Sequence, residues 1–383
     1  MTPRAAVVYD CLFPLATGGG ERVYRRIAEL LVERGWQVDY LTRDQWSPEA
    51  PPVLPFHPVP VWRGEIHDES GDRTVSSALA FARGVRSHLR RTRDCPYDLV
   101  IASALPVLTL LAARSAISAR RTLLVADWLE VWGLRQWVSY SGPLTGAIAW
   151  ALQSIAVRCA RQHSVNSRFT AERLRRLGVR DPLVLGLVDL VDGAGTIEAR
   201  HEPPYALFVG RHIADKHLES LPAGLAEARK AVPSIRAIVV GEGPTTGAAR
   251  AASEAAGVRE EIDFVGRVDD ARLDRLYAGA AVLVSPSARE GFGLVVAEAS
   301  SYGVPSVVVA GPDNAAADLV DAGVNGVLAS DRSPAVLGAA IASAVEGGEE
   351  LRASSLAWFR RQRKEAGLAA SVDEILRRYA STE

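Results

Sequence analysis

Short, continuous runs of Val, Ile, Leu and Ala recur along the chain, and each is followed by a segment with helical periodicity. Apolar runs that do not alternate with polar residues are typical of strands buried on both faces. Such strands form parallel sheets that helices cover on both sides. The sequence therefore predicts an α/β fold built from doubly wound parallel sheets.

The first half of the chain alternates predicted strands and helices. The strands are 5–10, 37–42, 97–103, 122–126 and 163–167, and the helices are 20–35, 76–92, 143–160 and 167–178. Ser167 or Thr170 caps the last helix, and Gly178 ends it. The proline-rich stretch 47–62 is predicted to be a surface excursion and not a packed element.

The second half repeats this alternation more regularly, which predicts two doubly wound sheets in tandem. Its predicted strands are 205–210, 235–241, 262–266, 281–287, 305–310 and 326–330. The predicted organisation is a Rossmann-like domain over 1–190, a polar linker over 191–204, a second Rossmann-like domain over 205–365, and a C-terminal helix over 366–383 that can pack back on the first domain.

Composition narrows the class of protein. The 383 residues suit two domains, and 48% apolar residues exclude a disordered chain. A net charge of −1 argues against a nucleic-acid partner. No apolar run reaches the ~18 residues that a spanning helix needs, and the N-terminus lacks a signal-peptide core, which predicts a cytoplasmic protein. The three separated Cys residues form neither a disulfide framework nor a zinc motif.

Ligands of open parallel sheets bind beyond the carboxyl ends of the strands, so functional residues are expected in the loops there. Gly18, Gly19 and Gly20 follow the first strand and open the first helix. Such a turn lets an anion approach the backbone and the helix N-terminus. The dinucleotide fingerprint is incomplete because Val23 replaces its third glycine. The triplet predicts an anion or sugar contact, with a flexible loop as the alternative.

Two cations follow the first strand of the second half. Gly210 and Arg211 come directly after the strand, and Lys216 follows in the same loop. Arg can donate to two oxygens at once and Lys acts as a point charge, so the pair suits a diphosphate. Only three Lys residues occur in the chain, against 41 Arg, so a Lys in this loop is a more specific signal than usual. The alternative is a solvated pair at a helix start.

Two carboxylates follow a later strand in the segment EGFGLVVAE. Glu290 is predicted in the loop after the strand, and Glu298 lies about one and a half turns into a helix that begins near Gly293. At this spacing the two carboxylates cannot share a proton, but they can accept hydrogen bonds from hydroxyls on separate parts of an elongated ligand. The free amide groups at the helix start favour an anion between them.

These residues resemble the retaining glycosyltransferases of the GT-B fold, in family 4. The matching segments are Gly210-Arg211 with Lys216, VVGEGP (239–244), FVGRV (264–268), SPSAREGFGLVVAEASSYGVPSVV (285–308) and GVNGVL (323–328). The first half matches more weakly, through GGGERV (18–23), SVNS (164–167) and GLVD (186–189). The resemblance implies two Rossmann-like domains facing across a cleft, with the acceptor on the first and the donor on the second.

The resemblance also implies site residues. The implied catalytic residues are Glu290, Asp127, Arg211 and Lys216. The implied donor-binding residues are Gly19, Gly20, Gly210, Arg211, Lys216, Gly266, Arg267, Val268, Glu290, Gly291, Phe292, Gly293, Leu294, Val295 and Glu298. Gly19 and Gly20 would close over the phosphate from the other domain.

Each implied residue has a role toward a UDP- or GDP-linked hexose. By this resemblance, Arg211 and Lys216 would bind the diphosphate, Glu290 would contact the sugar hydroxyls and Glu298 the ribose, and the base would lie near 266–268. The chain contains no Asp-x-Asp motif, so neither a metal nor another cofactor is expected. The implied reaction is metal-independent transfer of a hexosyl unit to an acceptor hydroxyl, with retention.

The chain departs from the family pattern at three positions. Asp127 stands where the family often has His after the fourth strand, so either Asp127 takes that role or Glu130 reaches in. His217 replaces the Gly that commonly follows the Lys, and Asp318 replaces the usual Glu.

Aromatic residues after the strand at 122–126 suggest where an acceptor binds. Trp128, Glu130, Trp132 and Arg135 combine aromatic faces with polar groups, which suits stacking on a sugar ring. A hydrophobic lid or a core segment is the equal alternative. The Arg-rich helices at 83–93 and 168–180 predict either a peripheral membrane contact or ordinary solvated faces.

Other functions remain open from sequence. The related alternatives are a nucleotide-sugar epimerase and a phosphorylase of the same architecture, although the latter needs a Schiff-base Lys that this Lys-poor chain hardly offers. A nicotinamide-dependent dehydrogenase would use Gly18–Gly20 and Asp44, and a non-catalytic module would only bind the sugar nucleotide.

Overall fold

The structure is a computed structural model that describes residues 2–16, 18–47, 49–66, 73–191, 197 and 201–381. The chain forms two compact units: Met1–Leu190 with Ala366–Glu383, and Val191–Glu365. Most of the predicted linker, 191–204, lies outside the described residues. Each unit contains a parallel sheet with helices packed on it, so the predicted α/β fold with two parallel-sheet domains is confirmed.

The described part of the first unit contains a seven-stranded parallel sheet in the order β3-β2-β1-β4-β5-β6-β7. Its strands are β1 (Arg4–Val8), β2 (Gln37–Arg43), β3 (His57–Trp62), β4 (Leu99–Ser103), β5 (Leu123–Trp128), β6 (Gln162–Val165) and β7 (Leu183–Val184). Its first six helices are α1 (Gly19–Glu33), α2 (Val75–Arg91), α3 (Val107–Ala116), α4 (Leu134–Ser141), α5 (Pro143–Ala156) and α6 (Arg168–Arg176).

The prediction that 47–62 holds no packed element is wrong for its last part. Residues His57–Trp62 form the edge strand β3, which pairs in parallel with β2 alone. Pro58 and Pro60 are tolerated there because the outer side of an edge strand needs no backbone donor. Val59 and Val61 pack against the core of the first unit.

Local sequence signals place the ends of α6. The Ser167 hydroxyl accepts the amide hydrogen of Thr170 at 3.1 Å, so Ser167 is the N-cap. Gly178, just beyond the helix, has a φ of +97°, which a residue with a Cβ rarely adopts.

The described part of the second unit contains a six-stranded parallel sheet in the order β10-β9-β8-β11-β13-β15, with a small parallel pair β12-β14. Its strands are β8 (Tyr205–Val209), β9 (Arg236–Val240), β10 (Ile262–Gly266), β11 (Val282–Ser285), β12 (Arg289–Glu290), β13 (Ser306–Val309), β14 (Asp313–Asn314) and β15 (Gly326–Ala329). Its helices are α7 (Leu221–Ala228), α8 (Thr246–Ala255), α9 (Asp270–Gly279), α10 (Leu294–Ser301), α11 (Pro334–Glu346) and α12 (Gly348–Glu365).

The strand order reverses once in each sheet, next to the first strand of the unit. β1 lies between β2 and β4, and β8 lies between β9 and β11. The loops after these neighbouring strands leave the sheet on opposite faces and open a crevice between them. Each unit therefore presents one crevice at the carboxyl edge of its sheet.

The last helix, α13 (Leu368–Ala380), belongs to the first unit. The amide of Leu368 donates to the carboxylate of Asp189 at 2.8 Å, and the Ser371 hydroxyl accepts the amide hydrogen of Gly186 at 2.9 Å. Arg34, just after the last residue of α1, also forms an ion pair with Asp373. These bonds hold α13 on the first unit although the second unit precedes it in sequence.

Candidate active site

The loop after β8 is joined to the loop after β11 at the carboxyl edge of the second sheet. A 3-10 turn over Ala214–Lys216 shapes the first loop, and the amide of Lys216 donates to the Ile213 carbonyl at 3.0 Å. The Asp215 carbonyl accepts the amide hydrogen of Ala288 in the second loop at 2.8 Å. Because β8 and β11 are neighbours in the sheet, these two loops face each other across the switch point.

Lys216 and Glu290 form an ion pair between Nζ and Oε1. Their side chains are 20% and 13% exposed, so the pair is shielded but still open to solvent. The Ser287 hydroxyl donates to the same carboxylate oxygen at 3.2 Å. An ammonium group has three donors, so Lys216 can hold Glu290 and bind an anion at the same time.

Asn314 fixes the backbone around Glu290. Glu290 on β12 lies opposite Asn314 on β14, and the Asn314 side chain is buried. Its amide group donates to the carbonyls of Ser287 and Val309 at 3.0 and 2.8 Å. Asn314 was not predicted, although an amide residue just beyond a predicted strand was the available signal.

The helix α10 begins at Leu294, immediately after Gly293. Gly293 has a φ of +86°, and a Cβ there would lie 2.3 Å from the Cβ of Ala316. Only glycine fits this turn without moving the neighbouring chain. The first amide groups of α10 have no partner within the helix, and they follow Glu290 by a few residues. The turn therefore starts α10 a few residues after Glu290, and the free amide groups of such a helix start can accept an anion.

Glu298 lies on α10 and accepts the Tyr277 hydroxyl at 2.8 Å. The Tyr277 ring stacks on Tyr302 with centroids 5.7 Å apart, and Tyr302 in turn donates to Asp274 at 2.6 Å. Glu298 is thus held by a stacked tyrosine pair that the sequence analysis did not find. Its carboxylate is half-buried, and it lies on a different element from Glu290, which is on β12.

Two glycines allow the loops after β8 and β9 to touch. A Cβ at Gly241 would lie 1.9 Å from the Gly210 carbonyl, and one at Gly243 would lie 2.3 Å from the His212 carbonyl. His212 is fully buried there, its Nδ1 is 2.7 Å from the Thr246 hydroxyl, and burial lowers its pKa. These glycines belong to the segment VVGEGP, which matches the family pattern, but their packing role was not predicted.

The remaining predicted donor residues lie at the same edge. Arg211 is exposed, and within the described residues its guanidinium has no hydrogen bond or ion pair. Gly266 ends β10 with a φ of +70°, and the exposed Arg267 lies 3.6 Å from the Glu242 carboxylate. Val268 follows and packs against the apolar cluster under α9.

In the first unit, Asp127 is sealed inside a hydrogen-bond network at the end of β5. Its carboxylate is 1% exposed and accepts the hydroxyls of Tyr24 and Ser164, both at 2.5 Å. Burial raises the pKa of Asp127 to about 6, against the two hydrogen bonds that lower it. A carboxylate with both oxygens occupied and no exposed surface cannot contact a substrate directly.

The predicted phosphate contact Gly19-Gly20 forms the first turn of α1. Gly20 lies against Tyr9, because a Cβ at Gly20 would be 2.7 Å from the Tyr9 hydroxyl. Tyr9 stacks on Tyr24 with centroids 4.3 Å apart, which links this turn to Asp127. The structure therefore brings the glycine turn and Asp127 into one cluster within the first unit.

Trp128, predicted as an acceptor contact, is a core residue. Its side chain is 1% exposed, and its indole N–H donates to Nδ1 of His163 at 3.1 Å. No face of this ring is available for stacking on a sugar, so its acceptor role is corrected. The core alternative describes Trp128, because its ring fills the interior on the apolar side of β5.

The other predicted acceptor residues lie on the surface of the first unit. The Trp132 indole donates to Glu130 at 2.5 Å and packs 4.7 Å from Trp137. The buried Gln153 on α5 fixes this segment by accepting from the Trp132 amide at 3.1 Å and donating to its carbonyl at 2.7 Å. Arg135 is exposed on the first turn of α4.

Among the described residues, no group of three or more His, Cys, Asp and Glu side chains is arranged to hold a metal ion. Across those same residues, no helix combines the length and apolar character needed to cross a bilayer.

Two sequence families match the chain, one over each of its two parallel sheets. Residues 18–185 match the glycosyl transferase 4-like domain, and residues 196–355 match the glycosyl transferases group 1 family. The chain belongs to the glycosyltransferases of family 4. The family predicted from the motifs is therefore confirmed.

Individual relatives match only part of this chain. It is 36% identical over 152 residues, 38% of its length, to the D-inositol 3-phosphate glycosyltransferase of Segniliparus rotundus. It is 31% identical over 105 residues, 27% of its length, to the UDP-N-acetylglucosamine–peptide N-acetylglucosaminyltransferase GtfA subunit of Streptococcus gordonii. The matches span 33% and 20% of these relatives' lengths.

Solved structures match over the whole chain. Sucrose-phosphate synthase from Thermosynechococcus elongatus has a TM-score of 0.77 at 18% identity, covering 99% of this chain and 98% of that one. Anabaena HepE in complex with UDP and glucose has a TM-score of 0.67 at 17% identity, covering 99% and 100%. At these identities the similarity shows the fold, and the predicted GT-B fold is confirmed.

Proposed function

We propose that this family 4 protein transfers a hexosyl unit from a UDP- or GDP-linked donor to an acceptor hydroxyl, with retention and without a metal. The observation that carries the proposal is the contact between Lys216 and Glu290, 74 residues apart, beside the start of α10. It supports a site where cations for a diphosphate adjoin a carboxylate for a sugar.

The charges of this site suit a sugar nucleotide. Arg211 and Lys216 lie on one loop and supply donors for the two phosphates, and the amides of Gly293 to Val295 add uncharged donors. Glu298 is positioned along α10 for the ribose hydroxyls. Anabaena HepE, which shares the fold, is described in complex with UDP, with UDP and glucose, and with UDP-glucose. That supports UDP over GDP as the nucleotide here.

The proposed reaction breaks the bond between the sugar C1 and the diphosphate oxygen. Arg211 and Lys216 stabilise the negative charge that develops on the leaving diphosphate. Glu290 accepts hydrogen bonds from the sugar hydroxyls and holds C1 against the leaving oxygen. The acceptor hydroxyl attacks C1 from the face that the diphosphate leaves, and its proton passes to the departing phosphate oxygen. No separate general base is required, and the configuration at C1 is retained.

The donor set supports the proposed metal independence. Two cationic side chains already oppose the diphosphate charge, and the sequence lacks the Asp-x-Asp motif that would bridge a metal to phosphates. We therefore expect activity to survive a chelator.

Asp127 has a positioning role in this proposal. Its carboxylate holds the hydroxyl of Tyr24, whose ring stacks on Tyr9 beneath the Gly20 turn. The network fixes the position of the loop after β1, where the sequence predicts an anion or sugar contact. Asp127 thus acts through the tyrosines and touches no reacting atom.

The test begins with nucleotide binding. In a thermal-shift screen of the full chain against UDP, GDP, ADP and dTDP, a nucleotide at about 100 times its Kd adds roughly 2.7 kcal/mol to the free energy of unfolding. We expect UDP to give the largest shift, with and without EDTA. If none of the four stabilises the protein, the donor assignment is wrong.

The second part of the test follows the sugar. With the matching α-linked donor and a panel of hydroxyl acceptors, NMR is expected to show an α-linked product. A β-linked product would contradict retention. Conversion of the sugar in the absence of any acceptor would support the epimerase alternative, and fluorescence quenching by a reduced nicotinamide would support the dehydrogenase.

A further inference from the structure

The helix α5 exposes a continuous apolar face. Leu144, Ile148 and Ile155 are 75%, 53% and 54% exposed, and Ala151 between them is exposed as well. Their spacing of four, three and four residues places them in one row along the helix. We call this row the α5 stripe. It is unusual because an amphipathic helix on a soluble domain normally turns such a row inward.

The preceding helix and one more position on α5 also expose large apolar side chains. Leu134 and Tyr140 on α4 and Trp150 on α5 are 43%, 54% and 37% exposed. Of the eleven large hydrophobic side chains that are exposed in the described part of the chain, six lie between 134 and 155. Single exposed apolar residues are common, but a cluster of this kind marks an interaction site.

The segment of the chain that contains the α5 stripe carries charge of only one sign. The chain contains no acidic residue between Glu130 and Glu172, and residues 136–157 contain no charged residue at all. Arg158 and Arg161 are exposed just after the end of α5. The partner must therefore accept apolar side chains along the helix and positive charge at its end.

More arginines surround that end of α5. A depression of about 760 Å³ is lined by Arg114, Arg120, Arg121, Arg158 and Arg161. The one acidic residue in its lining, Asp98, already accepts the backbone amide of Arg4 at 2.8 Å. The depression is therefore strongly cationic and suits a surface that carries many negative groups.

We propose that α4 and α5 dock on the surface of an anionic lipid bilayer. The α5 stripe lies in the boundary between headgroups and acyl chains, and the arginines around Arg158 contact lipid phosphates. The helix lies flat, because its 14 residues extend about 21 Å, less than the ~30 Å hydrocarbon core. This surface differs from the Arg-rich helices at 83–93 and 168–180 that the sequence suggested.

The charge pattern favours lipid over a second copy of this chain. A copy that met the same face would present the same arginines and no acidic side chain from 131–171 to pair with them. A bilayer with anionic lipids supplies both an apolar layer and phosphate groups. It therefore satisfies the α5 stripe and the arginines at once.

The test is co-sedimentation of the full chain with vesicles of phosphatidylcholine alone or with about a third phosphatidylglycerol. We expect binding to the anionic vesicles that weakens with salt. Leu144→Glu with Ile148→Glu is expected to lower the partition coefficient at least tenfold, and Arg158→Gln with Arg161→Gln to lower it roughly fivefold per arginine. Circular dichroism and UDP-induced thermal shifts report whether each variant is folded.

Matched controls separate this surface from general adhesion. Val75→Glu changes an apolar side chain that is 63% exposed on α2, and the triple change Arg83→Gln, Arg86→Gln and Arg90→Gln removes charge from the same helix. Neither is expected to reduce binding by more than about twofold. Equal losses in these controls, or no binding by the unchanged protein, would overturn the proposal. The proposal would also be overturned if light scattering showed that the unchanged protein is a dimer and that the Leu144→Glu and Ile148→Glu variant is a monomer.

Discussion

The two sheets of this protein end in very different polar clusters. In the second unit, Lys216 and Glu290 form a charged pair that solvent can reach. In the first unit, Asp127 is buried against Tyr24 and Ser164, and its elevated pKa reflects the cost of ionisation there. Both clusters lie at the carboxyl edge of a parallel sheet, and both depend on residues that are distant in sequence.

The two clusters differ although both sheets are parallel, so a sheet determines only the place where a site can form. Short loops with paired cations leave the second edge open for a charged ligand. In the first unit, aromatic rings from the loop after β1 and from α1 cover the carboxylate, so the same edge holds a sealed network. Sealed networks position neighbouring groups, whereas open ion pairs can exchange partners with a ligand.

We call the solvent-accessible pair Lys216 and Glu290, with the loops that carry them, the open cluster. Its strongest test is removal of its carboxylate. Glu290→Ala is expected to lower kcat for sugar transfer by about 10²–10³-fold, the usual effect of losing one preorganised polar group. Binding of free UDP is expected to persist, because Lys216 keeps its charge. Steady-state kinetics and calorimetry measure the two effects separately.

The control for this change is Glu254→Ala, an exposed carboxylate on α8 in the same unit. It is expected to leave both kcat and UDP affinity unchanged. Full turnover by the Glu290→Ala protein would remove Glu290 from the reaction and with it the contrast between an open and a sealed site.

We call the buried network of Asp127 with Tyr24 and Ser164 the sealed cluster. It is expected to make the stability of the protein depend on pH. The Asp127 carboxyl keeps its proton to about pH 6 in the folded protein, whereas in the unfolded chain it ionises near its ordinary pKa of 3.8. Between these values the folded state binds more protons, so the free energy of unfolding falls as pH rises, by about 3 kcal/mol in total. Above that range the contribution is constant.

Asp127→Asn removes this titration, so the variant is expected to lose less stability than the parent protein between about pH 4 and pH 7. Urea unfolding across that range measures the difference, and Asp94→Asn on the exposed surface is the control. Parallel stability curves for the parent protein and Asp127→Asn would show that the carboxylate is not sealed.

The cations of the open cluster are expected to contribute less each. Arg211→Ala or Lys216→Ala should weaken UDP binding by about 1.5–3 kcal/mol, the range for hydrogen bonds to charged groups. Arg211→Ala changes binding alone, whereas Lys216→Ala also leaves Glu290 without its cation. Calorimetry with Lys230→Ala, a 72% exposed lysine, as control measures these effects, and unchanged affinity in both variants would contradict the diphosphate assignment.

Sequence patterns predict most of the sheets because burial on both faces leaves a strong local signal. The runs at 205–210, 235–241 and 262–266 each contain an observed strand. The edge strand β3 was not predicted, since its prolines usually exclude a strand and only its place at the sheet edge makes them acceptable. That place depends on strand order, which a local pattern does not contain.

The residues of the open cluster were predictable because they follow strands in a spaced motif. Neither their supports nor the contacts of the sealed cluster were predictable. The bond from Tyr277 to Glu298 and the bond from Tyr24 to Asp127 join positions 21 and 103 residues apart. Such contacts depend on which helices pack beside which strands, so no spacing in the sequence identifies them.

The smallest expected effect concerns the backbone of the open loop. Among the described residues, every position with a left-handed φ is glycine except His217, at φ 47° and ψ 40°. A side chain in this conformation costs about 1 kcal/mol or more, because its Cβ crowds the following carbonyl. The first unit contains no such residue in its described part, so this strain distinguishes the two edges.

His217→Gly is therefore expected to be more stable than His217→Ala by about 1 kcal/mol, since only glycine relieves the strain. Both variants lose the contact between Nδ1 of His217 and Glu219 at 2.9 Å, so that contact cancels in the comparison. Denaturant unfolding of the two variants gives the difference directly. Equal stabilities would mean that the loop relaxes out of the left-handed conformation, and the open cluster would then be less rigid than the sealed one.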